Sequence, residues 1–221
     1  MAQHVSVGGN GSRLSLGLLH FILLVCSGWA LKHYSNGRLG LAAYGLYFAH
    51  SIICTLRHTH PHPGQLQRRL CAISGRYAPV LFVTLIVGQL QRLAGKDMQL
   101  GADLSWRVVV LALYGSLLGF ACIKSCLREK SKLASLLTRL ERCNLTLCVL
   151  WNVYCLWHIA IIEEYWWSLG LAMLVLLNHF VLWRLTMSFN ISASEIDTVG
   201  MCFSVIFAIN ATQELLEQTR L

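Results

Sequence analysis

Hydrophobic and polar positions in this chain do not alternate with the two-residue period of a half-buried strand. They form long apolar blocks separated by short polar connections. A helix that crosses the hydrocarbon of a bilayer needs about 17–25 mostly apolar residues, at about 1.5 Å each against a core of about 30 Å. Six blocks qualify: residues 14–31, 39–56, 78–93, 108–123, 145–162 and 167–187. The third is the weakest, because Gln89, Gln91 and Arg92 sit in its last turn. A further run, residues 199–209, is short and suits an interfacial or packed helix within a C-terminal tail, residues 188–221. The pattern predicts an all-α integral membrane protein with about six transmembrane helices, five and seven being the neighbouring counts. The first block has some marks of a secretory signal, with Arg13 before it and Gly28-Trp29-Ala30 as a small-x-small site. Its length and the tryptophan favour a retained span.

Composition agrees. Of 221 residues, 56% are apolar and 13% charged, with a mean hydropathy of +0.57. A soluble domain carries about 25% charged residues, so the apolar surplus has to meet lipid. No polar stretch is long enough to fold alone, and residues 1–221 read as a single polytopic membrane domain.

The net charge of +8 is read first as topology and only then as a sign of nucleic acid. On a six-span chain, thirteen of the 18 basic residues fall on one side. Four of these (Arg57, Arg68, Arg69, Arg76) lie in the second connection and six (Lys124, Arg128, Lys130, Lys132, Arg139, Arg142) in the fourth. The richer side is expected to be cytoplasmic, with both termini on it. The cysteines fall in apolar blocks or on that side, so they are expected to stay reduced and unbridged. Asn10, Asn144 and Asn190 head sequons on the same side and are expected to carry no glycan. Trp29, Trp106, Trp166 and Trp167 fall at the opposite ends of the spans, as an interfacial aromatic belt would.

Residues 124–142 read as a basic amphipathic helix with Leu133, Leu136, Leu137 and Leu140 on one face. Such a helix suits the anionic lipids of the inner leaflet, where each basic residue adds about 1 kcal/mol. Gly115 and Gly119 form a GxxxG pair that lets helices approach closely, inside the bundle or across a homo- or hetero-oligomer seam.

Every Asp and Glu lies outside the six blocks, which argues against intramembrane carboxylate chemistry. No Walker loop, HExxH or GxSxG is present either. The chain is therefore expected not to be an enzyme and to need no cofactor. What remains inside the blocks is neutral or weakly basic. Asn152, Cys155 and His158 follow at three-residue spacing on the fifth span, and Asn178 and His179 sit midway along the sixth. Together they predict a polar pocket between the two spans, open to the outside, with Glu163 and Glu164 at its mouth to attract a cation or amine. The competing reading is interhelical hydrogen bonding, worth about 0.6 kcal/mol per contact. His58, His60 and His62 alternate in a Pro-containing turn and are weak metal candidates. A solvated basic turn is the preferred reading, and no metal is expected. His20 and His50 are expected to hydrogen-bond to neighbouring helices.

Tyr114 and Gly115 in an apolar span, then Arg128-Glu129-Lys130-Ser131-Lys132-Leu133 and the leucine series to Leu140, form a segment that resembles insect gustatory receptors. The resemblance implies seven spans, a cytoplasmic N-terminus and a ligand-gated cation channel that works as an oligomer. It assigns no site residue, and the tail here reads Ile209-Asn210-Ala211-Thr212-Gln213-Glu214 where the family has a Thr-Tyr and Gln-Phe pattern. The expected function is a non-enzymatic receptor or channel-like subunit. The alternatives are a small transporter or lipid-handling protein of an internal membrane, and a structural or assembly subunit. The plasma membrane and the endoplasmic reticulum fit equally well.

Overall fold

The computed structural model describes residues 8–35, 37–60, 63–94, 114–116, 119, 120, 123, 132–182 and 192–218. Among these, all regular structure is helical: α1 (Gly8–His33), α2 (Arg38–Thr59), α3 (Gln65–Leu93), α4 (Lys132–Glu163), α5 (Trp166–Leu176, continued by a π-helical turn, Leu177–Val181) and α6 (Ala193–Gln218). Five segments are long and apolar enough to cross a membrane: Arg13–His33, Arg38–Thr59, Gln65–Leu93, Ser135–Ile161 and Ala193–Glu217. Trp166–Val181 is a shorter apolar helix. Their outward faces are greasy. On α1, Leu14, Leu18, Phe21 and Val25 recur at helical spacing and are all exposed. A surface of that kind belongs in lipid, since soluble monomers rarely expose large apolar patches.

Consecutive helices pack side by side, α1 on α2, α2 on α3 and α4 on α5, while α6 closes the bundle against α1 and α5. Between α2 and α3 lies the core stack of Tyr47 on Phe82, whose rings are 4.0 Å apart and nearly parallel. The direction of each helix follows from its polar contacts. Ser15, early in α1, donates to the Glu195 carboxylate at the start of α6, so these two helices begin at the same end and run parallel. At the other end, the Glu214 carboxylate accepts the Trp166 and Trp167 backbone N–H groups, each at 3.0 Å. These are among the orphan donors that open every helix, and a carboxylate there also suits the helix dipole. Arg76 meets Glu141 and Thr84 meets Asn152, so α3 and α4 are parallel as well.

Parallel α3 and α4 require the intervening chain to return to the end where α3 began. The described positions 114–116 of that stretch are helical. Tyr114 contacts Asn152 while Ser116 contacts Asn144, so it descends antiparallel to α4. Residues 119, 120 and 123 are also helical, and the remainder of the expected 108–123 span lies outside the described residues.

Several expectations change. The 199–209 run is the middle of a 26-residue helix, not a short interfacial piece, because polar Glu195, Asp197 and Glu214 sit at its ends and pair there or line the bundle. The start of α1 and the end of α6 lie at opposite ends of the bundle. The expected amphipathic helix at 124–142 is, from Lys132, the first turns of the 32-residue α4. Within it Leu137 is buried but Leu136 and Leu140 are exposed, and Glu141 takes the bundle-facing position. Residues 124–131 lie outside the described set. A Cβ built on Gly115 or Gly119 meets nothing within 4 Å among the described residues.

Close approach is instead made at Gly170, where an added Cβ would stand 2.6 Å from the Phe207 ring of α6. Gly170→Val is expected to destabilise the bundle by about 1–3 kcal/mol through overpacking, read as a lower midpoint of SDS-induced unfolding in mixed micelles. Ala substitution at Gly115 should leave that midpoint unchanged.

A polar cavity as candidate functional site

A cavity of about 250 Å³ opens where α3, α4, α5 and α6 converge. Val80, Val83, Leu145, Val149, Val175 and Met201 make its apolar walls, and Asn152, Asn178, His179, Asp197, Ser204 and Arg76 supply its polar groups. Mostly apolar lining with a few convergent polar groups is the usual make-up of a small-molecule site. Each helix contributes by its period. On α6, Asp197, Met201 and Ser204 stand at i, i+4 and i+7, one face of the helix. On α3, Pro79 cannot donate to the Gly75 carbonyl, and both residues line the cavity. On α5 the chain widens into the π turn at Leu177–Val181, which carries Asn178 and His179. Such turns recur at functional sites.

Asn152 is held at the inner end. Its Nδ2 donates to Thr84 Oγ1 at 3.0 Å, and Tyr114 OH donates to its Oδ1 at 3.3 Å. Thr84 Oγ1 and Tyr114 OH lie 2.6 Å apart, closing a triangle over three segments. His179 Nε2 lies 3.1 Å from Thr146 Oγ1. The Asn178 Oδ1 is buried with no hydrogen-bond partner among the described residues, although its amide is seated against Gly200, where a Cβ would come within 2.6 Å of it. A buried unpaired carbonyl costs about 1–3 kcal/mol, and a bound donor would relieve that cost.

Beside the cavity, Arg76 Nη1 donates to both Glu141 oxygens at 2.9 and 3.2 Å, and Tyr77 OH donates to Oε1 at 2.5 Å. Glu141 is 1% exposed. The sequence placed every acid outside the spans. The structure instead sets Glu141 inside the Ser135–Ile161 segment, and Asp197 inside Ala193–Glu217. The argument that carboxylates are missing from the bundle therefore falls.

Of the residues expected to form a pocket, Asn152, Asn178 and His179 do line one cavity. Cys155 is buried in the core and does not reach it. His158 turns toward Tyr154, with ring centroids 6.3 Å apart. At 100° per residue a three-residue spacing drifts about 60° per step, so the stripe winds off the face it starts on. The position of the mouth also differs. Glu164 is exposed in the α4–α5 turn, with φ 58°, next to the end where Glu214 caps α5. The cavity lies toward the opposite end, with Arg76 and Asp197. The side chain of Glu163 is outside the described set. Arg76, Asp197 and Ser204 were not singled out from the sequence. For Asp197 and Ser204 the signal is their i, i+7 spacing, with Met201 between them, on a segment that the sequence reads as tail; Arg76 lies on α3, ahead of the expected third span. Comparison with known protein families, curated proteins and solved structures finds no match.

Removing one member of a buried ion pair strands the other. Arg76→Met is expected to cost stability near the lower end of about 3–5 kcal/mol, because Arg76 is itself about half exposed. The double substitution Arg76→Met/Glu141→Met should recover more than 1 kcal/mol of it, about the worth of relieving one stranded charge. A double-mutant cycle on unfolding midpoints in detergent checks this.

Proposed function

We propose that the chain is a polytopic, non-enzymatic membrane receptor or channel-like subunit with seven crossings, and that the α3–α4–α5–α6 cavity binds its ligand. The observation that carries this reading is the convergence of Asn152, Asn178, His179, Ser204 and Asp197 on one apolar-walled cavity. The chemistry suits a small molecule with an apolar body and a donor group. An amine would answer the Asp197 carboxylate and the unpaired Asn178 Oδ1 together.

Seven crossings follow from helix directions if the stretch between Leu93 and Lys132, and the short Trp166–Val181 helix, both cross. Six of the basic residues then remain on the tryptophan side: Lys32, Arg38, Arg92, Lys96, Arg107 and Arg220. The other twelve share a side with the start of α1, which is therefore cytoplasmic. Trp29, Trp166 and Trp167 are exposed at the opposite end, as anchors at an outer interface. Seven spans with a cytoplasmic start agree with what the gustatory-receptor resemblance implies. The basic residues of 124–142 lie on the cytoplasmic side in this arrangement, where anionic inner-leaflet lipids would hold them. The Gly115/Gly119 pair, with no described neighbour within 4 Å of an added Cβ, supports a subunit that associates with a partner helix.

With the plasma membrane alone selectively permeabilised, an N-terminal epitope tag should become accessible to antibody, whereas a C-terminal one should be accessible already in intact cells or, in an internal membrane, only after full permeabilisation. Two tags that both become accessible on selective permeabilisation would restore the six-span arrangement. Ligand binding is read as thermal stabilisation of the purified protein by a panel of small amphiphilic amines, since a ligand at 100 times its Kd adds about 2.7 kcal/mol. Asp197→Asn and Asn152→Ala are each expected to abolish the shift for amines that stabilise the native chain. A shift retained in both would remove the cavity as the site.

A further inference from the structure

A second cavity, of about 270 Å³, shares Gly75, Asp197 and Met201 with the first and lies nearer the arginine-rich end. Three helices bring a histidine–cysteine cluster to it: His20 from α1, His50 and Cys54 from α2, and Cys71 from α3. The ligand atoms of His20, His50 and Cys54 all lie within 4.8 Å of one another, and all three residues are buried. Cys54 and Cys71 face each other across the α2–α3 hairpin with Cα atoms 5.5 Å apart, and they are disulfide-bonded. That overturns the expectation of unbridged cysteines. The reason is that α3 starts at Gln65, so Cys71 belongs to a helix packed on α2 and not to a loose connection.

Two features are unusual for ordinary core residues. His20 is 4% exposed, yet its Nδ1 has no hydrogen-bond partner among the described residues. His50 Nδ1 lies 2.8 Å from Ser74 Oγ, which donates in turn to the Cys71 carbonyl at 3.2 Å. If Nδ1 carries the proton toward Ser74, Nε2 is left as a lone-pair donor beside Cys54 Sγ, 3.9 Å away. An outer hydrogen bond that fixes the tautomer is the usual support for a metal-binding imidazole.

We propose that His20, His50, Cys54 and Cys71 form a redox-gated Zn²⁺ site, of which the Cys54–Cys71 disulfide is the oxidised form. A dithiol reduces the S–S bond with two electrons, becoming a disulfide itself and leaving two protein thiols. Zn²⁺ displaces their two protons to solvent and is held by two thiolates and two neutral imidazoles. Two nitrogens and two sulfurs in a tetrahedron are a standard structural zinc set. At Zn–N of about 2.0–2.1 Å and Zn–S of about 2.3 Å, ligand atoms stand about 3.3–3.8 Å apart. The ligand atoms of His20, His50 and Cys54 need to close by about 1 Å from their present spread, and the two sulfurs, once reduced, to move apart to the spacing of a shared ion. Two thiolates also neutralise the ion, so the buried complex carries no net charge and avoids the cost of an isolated one. His58 stacks on His20 at 5.6 Å and flanks the cluster. Of the three histidines of the 58–62 turn, His58 borders this cluster, His60 is exposed, and His62 lies outside the described residues.

The full-length chain in detergent, with and without prior reduction by a phosphine, is equilibrated with zinc sulfate, desalted and assayed for bound metal. About one Zn²⁺ per chain is expected after reduction and none without it. Cys54→Ser and His50→Ala should each weaken binding at least about tenfold, and Ser74→Ala about tenfold through the imidazole it holds. His33→Ala, at the far end of α1, should have no effect. Should the cluster variants misfold, Co²⁺ added to the native chain provides the reading, with a thiolate-to-cobalt charge-transfer band appearing only on reduction. Equal zinc before and after reduction overturns the redox gate. Absence of zinc and of the cobalt band in folded, reduced protein overturns the site.

Discussion

Inside a bilayer there is no water to satisfy a buried polar group, and this constraint governs the bundle more than its hydrophobicity does. Backbone groups meet it by forming helices. Side chains meet it by pairing across helices, and those pairs fix which helices touch and at what height. The Glu141 carboxylate is the clearest case, because it is almost wholly buried in a transmembrane-length helix and needs Arg76 and Tyr77 to be there. Satisfying it sets α3 beside α4 in parallel. The Thr84–Tyr114–Asn152 triangle then fixes the same pair at a second height and adds a third segment. Apolar contact alone would leave helices free to slide, since lipid tails compete equally for a leucine.

The same logic explains what the sequence could and could not disclose. Long apolar blocks revealed α1, α2, and much of α4 and α5, since length against bilayer thickness is a property of one segment. The extent of α6 was hidden because Glu195, Asp197 and Glu214 look like tail residues until their partners Ser15 and Trp166 are placed beside them. In α4 the leucine count drew the apolar face through Leu136 and Leu140. The packed face runs instead through Leu137, Glu141, Leu145, Cys148 and Asn152, mixing a carboxylate and an amide into the helical repeat. Periodicity identifies a face and does not say what covers it.

The two cavities extend this lesson to function. Asn152, Asn178 and His179 were visible as polar residues in apolar surroundings, a signal each segment carries alone. Their neighbours Arg76 and Asp197, and the pairing of Cys54 with Cys71, depend on contacts between residues far apart in the chain. His20 and His50 looked like isolated core histidines for the same reason. Antiparallel α1 and α2 bring them to one depth, with ring centroids 5.4 Å apart.

One helix deserves to be considered as a mechanical part. α6 is tied at its start to Ser15 of α1 and near its end to the backbone of α5, so an axial slide would break a bond at one end or the other. Asp197 and Met201 border the first cavity and the second alike. One carboxylate is thus common property of two chambers, and a cation drawn to it in either leaves less negative charge for the other.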